Sequence, residues 1–294
     1  MTDLCDGVYA VFDIGSNSVR ALVASGNKTL FKELVTTRLG EGLCVNGYLK
    51  NEAVERTVRG ITALLSKVIT YRPAEIFAFA TEAVRSASNG KEFVEEVKNR
   101  TGINVEIISG EEEGEIGLAG ALGNADGGII DIGGASAEIA VRKGGKTAYC
   151  HSLPLGAVRL KDLCGEDEEN LKRLINARIG EYGEIPAECD FYAVGGTATS
   201  LCACFLGLAK YDAEKVNGTV MSYGQVVGTY EKIKSFDVNG RVEKLKISEK
   251  RADIIVGGAY LLARIMSEFG MEKITVSEND NMLGFLVKRG ILTD

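Results

Sequence analysis

The sequence has 294 residues, 45% of them hydrophobic and 26% charged, enough for two domains that bury their own cores without metal or disulfide staples. Its 41 acidic residues outnumber the 34 basic ones, a formal charge of −7, which excludes a general nucleic-acid binder with a basic face but not a local basic groove. A single histidine, His151, excludes chemistries that need two, such as HExxH zinc sites and His-Asp phosphohydrolase domains.

The opening segment, MTDLCDGVYAVFDIG, has no basic leader and no long apolar stretch, and nowhere is there a run of ~20 apolar residues. A cytoplasmic protein with no membrane span is expected. β-Branched and aromatic residues from Val8 to Ile14 read as a strand, followed by the turn Gly15-Ser16-Asn17 and a second strand from Val19 to Ala24. The Gly26-Asn27 turn leads to a third strand, Thr29 to Val35, and the three form an antiparallel meander. Asn51 to Ile69 carries Ala53, Val54, Val58, Ile61, Leu64, Leu65 and Val68 at helical spacing. Ile76 to Ala80 is a buried strand. Asn89 to Arg100 is an amphipathic helix closed by Gly102, Val105 to Ile108 a strand, and Glu111 to Leu122 a helix with acidic residues in its first turn.

At Gly127 the pattern restarts. Ile129 to Ile132, Ala137 to Val141 and Thr147 to Leu153 read as a second meander, with His151 a structural residue in its last strand. Helices follow at Val158 to Leu163 and Glu168 to Tyr182, then a strand at Phe191 to Val194 and a helix at Thr197 to Leu206. Ser222 and Gln225 form a capping box for a helix reaching about Phe236. A long helix is expected from Glu249 to Phe269, a strand at Ile274 to Val276, and a last helix at Asn281 to Lys288. The seven cysteines form no CxxC pair and read as reduced thiols.

FDIGSNSVRALVA at 12–24 aligns with IDIGGASAEIAV at 130–141, which places Asp13 on Asp131 and Gly15 on Gly133, 118 residues apart. This is a duplicated α/β domain, expected at 1–124 and 125–294, with the last helix packing back on the first domain. The two halves would face each other across a cleft.

The two D-x-G turns carry the clearest chemistry. Glycine lets backbone N–H groups approach a phosphate. Asp13 and Asp131 beside that phosphate call for a divalent cation held between carboxylate and phosphate oxygens. Ser16, Asn17, Ser18 and Ser136 add neutral donors, which could equally cap their own turns. Gly195-Gly196-Thr197 is a glycine-rich junction from strand to helix, an anion or nucleotide site in principle, without the P-loop ending or the GxGxxG spacing. The matching junction of the first half holds Arg85, able to clamp phosphate oxygens or simply to be solvated. Glu111, Glu112, Glu113 and Glu115 open one helix; the dipole explains them as a group, and periodicity does not say which one would take a proton from an attacking water. Glu138 is a charge inside a strand. Arg142, Lys143, Lys146, Arg159 and Lys161 could guide a polyanion or form a solvated surface.

DIGSNSVR at 13–20, ATEAVRSASN at 80–89, ISGEEEGEIGLAG at 108–120, DIGGASAE at 131–138, SLPLGAVRL at 152–160 and GGTATSL at 195–201 occur in one order, and the chain runs on to RADIIVGGAYLLARI at 251–265. Together they resemble the exopolyphosphatase / guanosine pentaphosphate phosphohydrolase (Ppx/GppA) family, of the actin-like, sugar-kinase and Hsp70 ATPase superfold. The resemblance implies two ribonuclease-H-like domains and hydrolysis of a terminal phosphoryl group with Mg²⁺ or another divalent cation. It places Glu113 on the catalytic base and Glu138 on the acid that helps hold water or metal. Asp13 and Asp131 fall on metal-linked acids, and Asn17, Arg85, Gly133, Gly134 and Ser136 on phosphate-contacting positions.

Three departures stand out. The family's GGGST reads GGASA here, so Ala135 replaces a glycine and Ala137 a threonine, putting backbone approach and a phosphate donor in doubt. The chain also has neither the length nor the histidines for the His-Asp-type domain of longer relatives. The leading expectation is a short exopolyphosphatase-like enzyme acting on inorganic polyphosphate, with a homodimer allowed. Hydrolysis of the guanosine pentaphosphate 5′-γ-phosphate, an ATP-dependent kinase of the same superfold and a non-catalytic polyphosphate or nucleotide sensor are the alternatives.

Overall fold

Apolar side chains on both faces put Val8–Ile14 inside a sheet rather than at its edge. The computed structural model describes residues 7–26, 28–165, 167–186, 188–279 and 281–292; Cys5 and Asn27, both read above, lie outside them. The chain divides into two compact units, Met1–Asn124 with Asn281–Asp294, and Ala125–Asp280.

In the first unit β1 (Val8–Ile14), β2 (Ser18–Ser25) and β3 (Lys28–Thr36) form the expected antiparallel meander. After α1 (Leu43–Asn46) and α2 (Asn51–Val68), β4 (Glu75–Ala80) pairs parallel with β1. Beyond α3 (Glu82–Ser86) and α4 (Gly90–Thr101), β5 (Glu106–Ile107) pairs parallel with β4, giving the order β3-β2-β1-β4-β5. The buried stripe of α2 (Val54, Val58, Ile61, Leu64 and Val68) covers one face of this sheet. The other face is covered mainly by the last helix of the chain, through Met282, Phe285 and Leu286, and that helix packs on α5 (Gly110–Leu122), which adds Ile116.

The second unit repeats the plan. β6 (Gly127–Ile132), β7 (Ala137–Lys143) and β8 (Lys146–Leu153) form a meander, followed by α6 (Ala157–Cys164) and α7 (Glu168–Arg178). β9 (Phe191–Val194) pairs parallel with β6 and runs into α8 (Gly195–Phe205). α9 (Ala213–Val216), β10 (Val220–Ser222), α10 (Tyr223–Lys234), α11 (Val238–Glu243), α12 (Ile255–Glu268) and β11 (Lys273–Val276) complete it. The order β10-β11-β9-β6-β7-β8 is the first sheet again, with β11 in the place of β5 and β10 added antiparallel at the edge. Both sheets have the ribonuclease-H-like arrangement that the resemblance implies. The chain then closes with α13 (Asn281–Lys288), in the first unit. Phe285 stacks on Phe79 with ring centroids 5.0 Å apart, and a Cβ at Gly284 would stand 1.7 Å from the Ile116 carbonyl oxygen, so α13 lies backbone to backbone on α5.

The structure departs from expectation where local hydrogen bonds override periodicity. The segment 249–254 is not helical. Arg251 and Ala252 both donate to the Ser248 carbonyl and Ile254 donates to that of Arg251, a chain of turns from which α12 starts only at Ile255. α7 stops at Arg178 and tightens into a 3₁₀ turn over Ile179–Tyr182, ended by Gly183 at φ 66°. The strand read at Val105 to Ile108 shrinks to two exposed residues. Five short elements, α1, α3, α9, β10 and α11, are too brief to show a period and escaped the sequence reading.

Candidate functional site

At the end of β1, Asp13 stands opposite Arg20 of β2 and is 1% exposed, with the Arg20 guanidinium bonded to its carboxylate. The turn between them is closed by Gly15 N–H donating to the Ser18 carbonyl at 3.0 Å. Its other carbonyls are occupied from behind. Asn17 accepts from the N–H groups of Thr37 (3.0 Å) and Arg38 (2.9 Å), and Ser16 from that of Gly40 (2.8 Å). Gly40 packs closely there, since a Cβ would stand 3.0 Å from Ser16 Cβ. The Ser16 side chain is buried, and Asn17 Oδ1 is buried without a hydrogen bond from the described residues.

The run of glutamates at the start of α5 sorts itself by environment. Ser109 and Glu112 form a capping box, and the Ser109 backbone N–H holds the Glu112 carboxyl below the usual carboxylate range. Glu115 pairs with Lys288 of α13, and Glu111 points to solvent. Glu113 alone of the four is buried, at 8% exposure. Arg85 reaches it from α3, with Nη1 3.7 Å from Glu113 Oε2. The same guanidinium donates to the Ile108 carbonyl and, at 2.8 Å, to Glu82 Oε2. Arg85 therefore enters the site as part of an ion-pair cluster that spacing alone did not reveal.

In the second unit the turn has the same build. Gly133 N–H donates to the Ser136 carbonyl at 3.0 Å, the distance found at Gly15. The Gly133 carbonyl accepts from Ala157 N–H, and the Gly134 carbonyl from those of Val158 and Arg159 at the start of α6. Arg159 Nε donates to the Ala135 carbonyl at 2.9 Å, so this arginine holds the loop in shape. A Cβ at Gly156 would sit 2.3 Å from the Gly134 backbone. In both halves, then, the backbone of the segment after the meander (Thr37, Arg38 and Gly40; Ala157, Val158 and Arg159) straps the D-x-G turn.

The cross-strand partner differs. Asp131 faces Glu138, where Asp13 faces Arg20. Cross-strand partners lie on the same side of a sheet. Asp131 and Glu138 are 7% and 1% exposed, and Glu138 Oε1 accepts from the Ser152 hydroxyl at 2.6 Å. Against this pair lies the junction from β9 to α8. Gly195 has φ 80°, and a Cβ there would be 2.4 Å from Asp131 Oδ1, so no other residue lets the backbone pass so close. The Thr197 hydroxyl donates to the Ile132 carbonyl at 3.0 Å, which ties the junction to the end of β6. Over Gly196 sits the guanidinium of Arg251, within 1.4 Å of where a Cβ would be. Arg251 belongs to the turns before α12, where the sequence reading expected a helix, and it was not singled out there.

Two buried carboxylates directly opposite each other repel unless a cation or a proton intervenes. Among the described residues no group of three or more His, Cys, Asp or Glu side chains is disposed to hold a metal. A pair is nonetheless what Mg²⁺ commonly uses, with substrate phosphate oxygens and water completing its shell. Asp131 and Glu138 fit that ion as such a pair.

Both alanine departures have structural answers. Ala135 does not have positive φ, so its methyl adds no backbone strain. Ala137 is fully buried among Ile130, Ile132 and Ile139, on the side of β7 away from Glu138. A hydroxyl there would enter the core, not a phosphate site.

Residues 18–287 match the model of the Ppx/GppA phosphatase family. The bifunctional 3-dehydroquinate synthase/phosphatase of Fusobacterium nucleatum is 29% identical over 95% of this chain, which spans about half of that relative (46%). Exopolyphosphatase 2 of Mycobacterium tuberculosis is 27% identical over 94% of this chain and 96% of its own length. The crystal structure of the Aquifex aeolicus Ppx/GppA family member superposes with a TM-score of 0.80 at 28% identity, covering 97% of this chain and 98% of that one. With the matched range taking in Arg85, Glu113, both acids of the second turn and the glycine junction, the chain belongs to the Ppx/GppA phosphatase family.

Proposed function

We propose that this chain is an exopolyphosphatase-type hydrolase that releases terminal orthophosphate from inorganic polyphosphate with the help of a divalent cation, Mg²⁺ being the first choice. The observation that carries the reading is the sorting of the glutamate run, which leaves Glu113 alone buried and beside an arginine. In this reading the Glu113 carboxylate orients the attacking water and takes its proton. Arg85, the backbone of Ser16–Ser18 and Gly133–Ser136, and the Gly195–Thr197 junction are the groups suited to hold phosphoryl oxygens. A cation held by Asp131 and Glu138 would neutralise charge on those oxygens. Phosphoryl transfer needs positioning and charge neutralisation more than covalent help, so no nucleophilic side chain is required.

The test is orthophosphate release from long-chain polyphosphate with Mg²⁺, wild type against Glu113→Gln. Loss of a general base costs ~10²–10⁴-fold, so the variant is expected to fall at least about 100-fold with its melting temperature kept. Release at the wild-type rate by Glu113→Gln would remove the assignment. The 5′-γ-phosphate of guanosine pentaphosphate presents the same reacting group, and competition between the two substrates ranks them. The sensor alternative loses its motive, because it rested on the two alanines, which sit without strain.

A further inference from the structure

Glu82, the first residue of α3, has no part in the reading above. Its Oε2 accepts from Arg85 Nη2 at 2.8 Å, and the two side chains are 15% and 25% exposed. The other terminal nitrogen of Arg85 donates to the Ile108 carbonyl, just before α5, and lies 3.7 Å from Glu113 Oε2. Two carboxylates thus share one guanidinium, one at hydrogen-bond distance and the other only in ionic contact. A guanidinium is a planar fork that closes on a carboxylate through two parallel hydrogen bonds when nothing else holds it.

We propose that Glu82 is a positioning residue that keeps Arg85 from capturing the base. With the Ile108 carbonyl, it fixes the guanidinium beside Glu113 but outside fork geometry. A carboxylate closed in an arginine fork has both oxygens occupied and its charged form favoured, so it is a poor proton acceptor for water. Held at 3.7 Å, Arg85 still contributes positive charge near the reacting phosphoryl group without closing its fork on Glu113. Helix geometry makes this possible, because positions i and i+3 lie on one side of a helix. The inference rests on the assignment of Glu113 as the base. The competing explanation is that Glu82 merely complements the dipole of a short helix. That role would be indifferent to Arg85.

The experiment is a double-mutant cycle on orthophosphate release, with kcat and KM measured for wild type, Glu82→Gln, Arg85→Gln and the double variant. Both polyphosphate and guanosine pentaphosphate are used as substrates, Glu113→Gln is the control, and a thermal melt is recorded for each protein. Glu82→Gln is expected to lower kcat about tenfold with KM changed less than about twofold, and to have no further effect when Arg85 is already glutamine. Glu82→Asp should restore part of the loss. Additive effects of the two substitutions, or a change confined to KM, overturn the proposal while leaving the base in place. Undiminished release by Glu113→Gln overturns the base assignment and the proposal with it, as does no release by wild type from either substrate.

Discussion

The two D-x-G turns share a backbone and differ in one cross-strand partner. Each ends the first strand of a meander, each is closed by a glycine N–H at 3.0 Å, and each has its carbonyls strapped from behind. Opposite the aspartate, however, the first turn places Arg20 and the second Glu138. The scaffold is repeated and the cross-strand partner of the aspartate is not. The first unit neutralises its buried acid internally and adds an arginine and a buried glutamate from α3 and α5. The second places two acids opposite each other next to a glycine junction. The halves are therefore copies in fold that differ in the residue facing the turn aspartate.

The largest effect that would break this comparison is on stability. Arg20→Ala leaves the carboxylate of Asp13, 1% exposed, without its guanidinium. Removing one partner of a buried pair costs about 3 kcal/mol, read as a lower midpoint in urea denaturation. Asp13→Asn in the same chain should recover part of that loss, because it removes the charge in need of compensation. If Arg20→Ala melts like wild type, the first turn is not charge-compensated in the way its geometry indicates.

Glu138→Gln tests the other side. It removes the charge of one of the two carboxylates proposed to hold the ion. Wild type should gain stability with Mg²⁺, about 2.7 kcal/mol when the ion is at 100 times its dissociation constant, and the variant should gain little. Thermal melts with Mg²⁺ and with a chelator decide it. An equal Mg²⁺ response in both proteins would move the ion away from this pair.

Much of this was legible in the sequence because the duplication repeats residues and not only shape. The meanders, the D-x-G turns and the strands before both junctions follow from period-2 runs and glycine positions. What the sequence withheld depends on register and tertiary contact. That Asp13 meets Arg20, seven residues on, needs the hairpin register. Which of four glutamates turns inward depends on the capping box at Ser109 and on Lys288 at the far end of the chain taking Glu115. Arg251 lay hidden in a segment read as helix, whose turns bring its guanidinium over Gly196.

The smallest effects concern the two alanines that set this chain apart from the family's glycine-rich loop. A threonine at 137 would restore the family residue, yet the side chain faces Ile130, Ile132 and Ile139 in a closed core. Adding a hydroxyl and a branch there should destabilise the second unit by ~1–3 kcal/mol without improving kcat or KM. Glycine at 135 should also bring no gain in rate, because Ala135 already sits outside the positive-φ region that only glycine enters freely. Its expected cost, ~0.5–1 kcal/mol, comes from the wider freedom of the unfolded glycine chain. Were Ala135→Gly to speed phosphate release severalfold instead, the loop would have to change conformation during turnover, and the resemblance between the two turns would hold only at rest.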